Sequence, residues 1–168
     1  MGLHGHGVVR DRQLLGPPDA EGRSELQCIC GRRFLCTSER CGRTVIVVPQ
    51  GIAYRRHYSA GAIGLALFLY GVLALSAREV RERIRPFAAV GYSAPQKWPT
   101  LNRWIDAASE GGLFHSIRAS PGSFSPRQKA ARVAMSLLAQ ADPVGAEATD
   151  ERRVFAGGVQ AVVRPGRW

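Results

Sequence analysis

The pattern of apolar and polar positions divides the chain around one stretch. From Ser59 to Ala77, nineteen consecutive residues carry no charge, with Arg55 and Arg56 before them and Arg78, Arg81, Arg83 and Arg85 after. Residues 60–74 are long enough for a helix and so evenly apolar that periodicity assigns no face. The next segment is better punctuated. Ser76-Ala-Arg-Glu79 is a capping box, in which the serine accepts from an orphan backbone N–H and the glutamate reaches back to the cap. After it Ala77, Val80 and Ile84 recur at helical spacing. Pro99 suits a first helical turn, where its missing N–H is not needed. Leu101, Trp104, Ile105 and Ala108 then form one apolar stripe, with Asn102, Arg103 and Asp106 off it, and Gly111-Gly112 ends the helix. Ser125-Pro126 opens a further helix at about 126–140, whose stripe is Ala130, Val133, Ala134, Leu137 and Leu138.

The remaining stretches are less regular. Residues 1–25, rich in Gly, Pro and charge, read as a flexible lead-in with a short strand near Val8-Val9. Thr44 to Val48 is strand-like. Residues 141–168 read as a disordered tail, with a hairpin between Val154-Phe155 and Val159–Val163 as the lesser alternative. Together the pattern predicts a mainly α fold. A helix-turn-helix (homeodomain-like) bundle would occupy 54–140, fourth helix included, behind a small zinc-ribbon β element at 26–53, intact or degenerate. Residues 86–98 between the second and third helices exceed the three or four residues of a tight turn, so a loop or wing is expected there.

The same apolar run reaches the length of about 18–20 residues that a membrane span needs. A single-span membrane protein with its span at 59–77 is therefore the alternative. Three glycines, two serines and five alanines keep the run's hydropathy modest. Arginines at both ends leave the positive-inside rule no side to prefer. A buried helix is the favoured reading.

Charge narrows the partner. The 168 residues carry a formal charge of +10, which points to double-stranded DNA and, second, to an anionic membrane surface. Residues 76–104 hold six Arg or Lys against two Glu. Met1 to Arg12 lacks the apolar core of a signal peptide, so a cytoplasmic address is expected. There, four cysteines bind metal more readily than they form disulfides. Cys28-Ile-Cys30 and Cys36-Thr-Ser-Glu-Arg-Cys41 would supply four ligands to a structural Zn2+ with no position left open for catalysis. A ribbon that no longer holds metal is the alternative, because the pairs are unusually spaced and five residues apart.

The order of parts resembles a known family. Arg33-Phe-Leu-Cys36, Cys41-Gly-Arg-Thr44, Val48-Pro49, Arg55-Arg-His-Tyr-Ser59-Ala-Gly-Ala-Ile63, Ser76-Ala-Arg-Glu-Val80 and Thr100-Leu-Asn-Arg-Trp-Ile105 follow one another over residues 28–109. They resemble a family of bacterial proteins of uncharacterised function with a zinc ribbon and a helix-turn-helix, similar to the N-terminal, DNA-binding part of insertion-sequence transposases. Two departures stand out: the N-terminus lacks the expected Cys-x2-Cys, and the second knuckle carries two extra residues. The resemblance implies that Asn102 and Arg103 lie on a recognition helix.

The residues themselves suit that role. Asn pairs bidentately with adenine and Arg with guanine. Lys97 and Thr100 flank them, and Arg55 and Arg56, interleaved with Tyr54, His57 and Tyr58, suit contact with a DNA backbone. The bland alternative is a solvated surface. No catalysis is expected. A transposase would need three carboxylates around two metal ions, and Asp142, Glu147, Asp150 and Glu151 read as solvated charge. A transposase-derived DNA-binding module without its own catalytic domain is the reading, with a small transcriptional regulator as a further alternative.

Overall fold

The ten residues from Ala60 to Leu69 are all buried, and they make up most of helix α1 (Ala60–Gly71). A helix apolar on every side needs cover on every side, and the rest of the chain supplies it. The computed structural model describes residues 2–38, 40–47, 49, 51–52, 58–84, 98–119, 123–142 and 148–162. Among these, strands β1 (Leu3–Pro18), β2 (Ser24–Cys36) and β3 (Thr44–Val47) precede α1. Helices α2 (Ala77–Ile84), α3 (Pro99–Ser109), α4 (Pro126–Gln140) and α5 (Asp150–Ala161) follow it.

This is an α+β fold, which corrects the mainly α reading. The strands form an antiparallel sheet in the order β1-β2-β3. The expected flexible lead-in at 1–25 is thus mostly strand, and the small ribbon element is part of a sheet reaching from Leu3 to Val47. Residues 150–161 of the expected tail are a helix, with Val154 and Phe155 buried. At 12 residues α1 is far short of the 20 or so needed to cross a bilayer. No described helix is long and apolar enough to do so.

Local chemistry sets the helix ends. Ser59 caps α1: its Oγ accepts from the Ala62 N–H at 3.1 Å and donates to the Leu15 carbonyl at 3.4 Å. The Ser76–Glu79 box forms as its sequence predicts. The Ser76 N–H donates to Glu79 Oε2 at 2.7 Å, and the Glu79 N–H donates to Ser76 Oγ at 3.3 Å. The Ser76 side chain and N–H together hold the Glu79 carboxyl below its ordinary value. Ser125 and Gln128 form a second box at the start of α4. At the far end of α1, Arg127 donates to the Ala74 carbonyl at 2.8 Å and stacks over Tyr70. With a second bond to the Leu75 carbonyl at 3.3 Å, it holds the turn that follows the helix.

The packing turns on close backbone approach. Helices α4 and α5 both lie against α1 and against each other, α2 packs on α1, and α3 packs chiefly on α4. Phe155 lies where Gly61 has no side chain. A Cβ on Gly158 would sit 2.7 Å from the Ala60 carbonyl oxygen, and one on Gly64 would sit 3.2 Å from the Val154 carbonyl oxygen. On Gly157 and Gly71 it would strike the backbones of Leu137 and Ala131. The sheet meets the helices at its base, where Leu14, Leu15, Gly16 and Pro18 are buried. Arg83 fastens this end: it donates to the Gly22 carbonyl at 3.0 Å and grips both oxygens of Glu151 at 3.2 and 3.0 Å.

Gly158→Ala tests the helix packing. Alanine would favour an isolated helix by about 1 kcal/mol, but overpacking against a fixed backbone costs about 1–3 kcal/mol or more. The expected outcome is a net loss of stability in urea unfolding. Gly5→Ala, where a Cβ meets nothing within 4 Å, should leave the midpoint nearly unchanged.

Candidate nucleic-acid interface

Helix α3 separates its two sides sharply. Leu101 and Ile105 are 1% exposed, Trp104 is 2% and Ala108 is fully buried. Trp104 is wedged edge-on between Tyr58 and Trp98, with ring centroids 4.9 and 5.2 Å away. This fixes the rotation of the helix about its own axis. Asn102, Arg103 and Asp106 consequently face solvent, and Thr100 is half-buried. Asp106 is tied back to α4 by the Lys129 ammonium at 3.2 Å, leaving Asn102 and Arg103, among the described residues, as the unpaired polar ends of this face.

Helix-turn-helix pairing does not recur. Helix α2 packs on α1 rather than on α3, and α3 leans on α4. The expected contacts Arg55, Arg56 and Lys97 lie outside the described residues.

Sequence reasoning missed two further groups of cations. Arg118 in the loop after α3 and Lys129 and Arg132 on α4 gather beside the C-terminal end of α3. The spacing of Lys129 and Arg132, three apart on one helix, could have signalled the pair. Arg118 could not be joined to them without knowing how α3 meets α4. The second group lies on the sheet. Arg32 and Arg33 on β2 and Arg40 and Arg43 around the β2–β3 turn are all exposed. Adjacent strand residues point to opposite faces, so Arg32 and Arg33 display charge on both sides of the sheet.

The cysteines divide into two places. Cys28 and Cys30 lie exposed in β2, and Cys36 ends the same strand. A rise of about 3.3 Å per residue puts Cys30 and Cys36 roughly 20 Å apart, whereas ligands of one zinc stand about 2.3 Å from the metal. The four residues Cys28, Cys30, Cys36 and Cys41 therefore do not fit a single tetrahedral site. Among the described residues no three His, Cys, Asp or Glu side chains are grouped to hold a metal ion. Of the acidic residues near the C-terminal end, Asp142 engages Gln160, and Asp150 and Glu151 open α5. Glu147 lies outside the described residues.

Cys36 and Cys41 do meet. The Arg43 backbone N–H, and after it the Cys36 thiol, stabilise the Cys41 thiolate and hold its pKa below the ordinary thiol value. No family model, curated protein or solved structure matches the chain.

Replacing Cys36 with Ala should therefore raise the Cys41 pKa and slow its alkylation by iodoacetamide at neutral pH. Mass-spectrometric rates at Cys41 check this, and an unchanged rate would show that the Cys36 thiol has no such effect.

Proposed function

We propose that this protein is a module that binds double-stranded DNA, with Asn102 and Arg103 of α3 meeting base edges and neighbouring arginines meeting phosphates. The observation that carries the reading is the rigid division of α3. Its buried stripe admits one rotation, and that rotation presents a side chain suited to adenine beside one suited to guanine. The total charge of +10 supports it, as do the exposed arginines of β2 and the β2–β3 turn, since an antiparallel ribbon also fits a major groove. A cytoplasmic address belongs to the same proposal. A transposase-derived module and a stand-alone regulator share this surface chemistry, and the resemblance over residues 28–109 favours the first. Zinc is not part of the proposal, because the four cysteines are spread along β2 and its turn.

Binding measured by fluorescence anisotropy should weaken steeply with salt, as counterion release requires. Arg103→Ala should weaken binding, most for duplexes with guanine at the contacted position, by about 1–3 kcal/mol. Asn102→Ala should mainly relax preference at one base pair, by about 1–3 kcal/mol. Absence of binding to any duplex at low salt would overturn the proposal.

A further inference from the structure

A pocket of about 330 Å³ opens between the C-terminal end of α3, the loop after it and one face of α4. Sites for small ligands begin at about this size. Its walls include Ser116, Arg118, Phe124, Lys129, Arg132 and Ser136. Three of these six are cations, and no carboxylate lines the pocket among the described residues. Two of the cations are held in place. The Arg132 guanidinium lies 4.7 Å over the Phe124 ring, and Lys129 is braced by Asp106. Stacking occupies the face of a guanidinium and leaves its edge donors for a ligand.

The pocket also contains an unexplained polar atom. Ser116 Oγ is buried and has no hydrogen-bond partner among the described residues. Buried hydroxyls are nearly always paired, because leaving one unpaired is costly. A hydroxyl donor beside three cations suits one class of ligand, an anion with several acceptor oxygens.

We propose that this pocket is a phosphate-binding site. Arg118, Lys129 and Arg132 neutralise the anion, and the Ser116 hydroxyl donates to one of its oxygens. The source of the phosphate rests on the DNA-binding reading above. Lys129, which lines the pocket, pairs with Asp106 of α3, and Asp106 lies one helical turn from Asn102 and Arg103 on the same exposed side, about 5–6 Å away. One duplex could therefore place a backbone phosphate in the pocket while its bases meet Asn102 and Arg103. A small phosphate compound offers the same chemistry.

Calorimetric titration of the full chain with inorganic phosphate, at low ionic strength, tests the site. Wild type should bind phosphate saturably at one site. Arg132→Gln should weaken it about tenfold or more, the range for a hydrogen bond to a charged group. Ser116→Ala should weaken it several-fold while leaving Tm unchanged or raised, since it removes an unpaired buried hydroxyl. Arg78→Gln, which removes the same charge from α2, should have no effect. No saturable binding by wild type, or wild-type affinity in both pocket variants, would overturn the site. A duplex titration of Arg132→Gln identifies the source. Parallel loss of duplex affinity assigns the pocket to the nucleic-acid backbone, and an unchanged duplex affinity assigns it to a small phosphate compound. If wild type binds phosphate but no duplex, the pocket stands and the DNA reading falls.

Discussion

The structure depends on how closely α1 approaches α4 and α5. Backbone meets backbone at Gly158 against Ala60 and at Gly157 against Leu137, where a methyl group has no room. Close approach maximises dispersion contacts around a helix that has no polar face. It also explains how glycines survive inside helices, each at a propensity cost of about 1 kcal/mol relative to alanine. The tertiary contact outweighs the local preference. Everything else is positioned from this trio: α3 by leaning on α4, α2 by lying on α1, and the sheet by its base under α1 and α5.

Polar fastenings then hold the outer parts in register. Arg83 joins the β1–β2 turn, α2 and the first turn of α5 through one side chain. Arg127 closes the end of α1 from the start of α4. These two arginines serve the fold, whereas Arg103, Arg118 and Arg132 reach solvent or the pocket. A chain whose cations are nearly all arginine thus uses the same planar group for internal fastening and for its outward charge.

What the sequence disclosed depended on whether local rules agreed with tertiary packing. The stripes of α3 and α4, the box at Ser76 and the Ser125-Pro126 start of α4 were legible because cap, period and burial all agree. Helix α5 was not, because Gly157-Gly158 looks like a turn until α1 and α4 are seen against it. Strand β1 was hidden for another reason. Its 16 residues oppose 13 on β2, with irregularities after Gly5, Val9 and Leu15 where three steps on β1 face two on β2. Each such bulge reverses the alternation of faces, and with Leu3 to Val8 exposed on both sides there is little apolar alternation to read. The candidate site was legible only in part. Asn102 and Arg103 stand out from a single helix, but the union of Arg118 with Lys129 and Arg132 is made by the contact of α3 with α4.

The proposed function and the fold meet at α3. Its inner stripe is part of the same apolar interior as α1, so the orientation of Asn102 and Arg103 is inherited from that interior. Native-state hydrogen exchange tests the central claim most directly. Amides of α1 from Ile63 to Leu69 should open with the same free energy as those of α4 around Leu137 and α5 around Val154, as one cooperative unit. Rapid exchange of the α1 amides, or their protection in a state where α4 and α5 are already open, would contradict it.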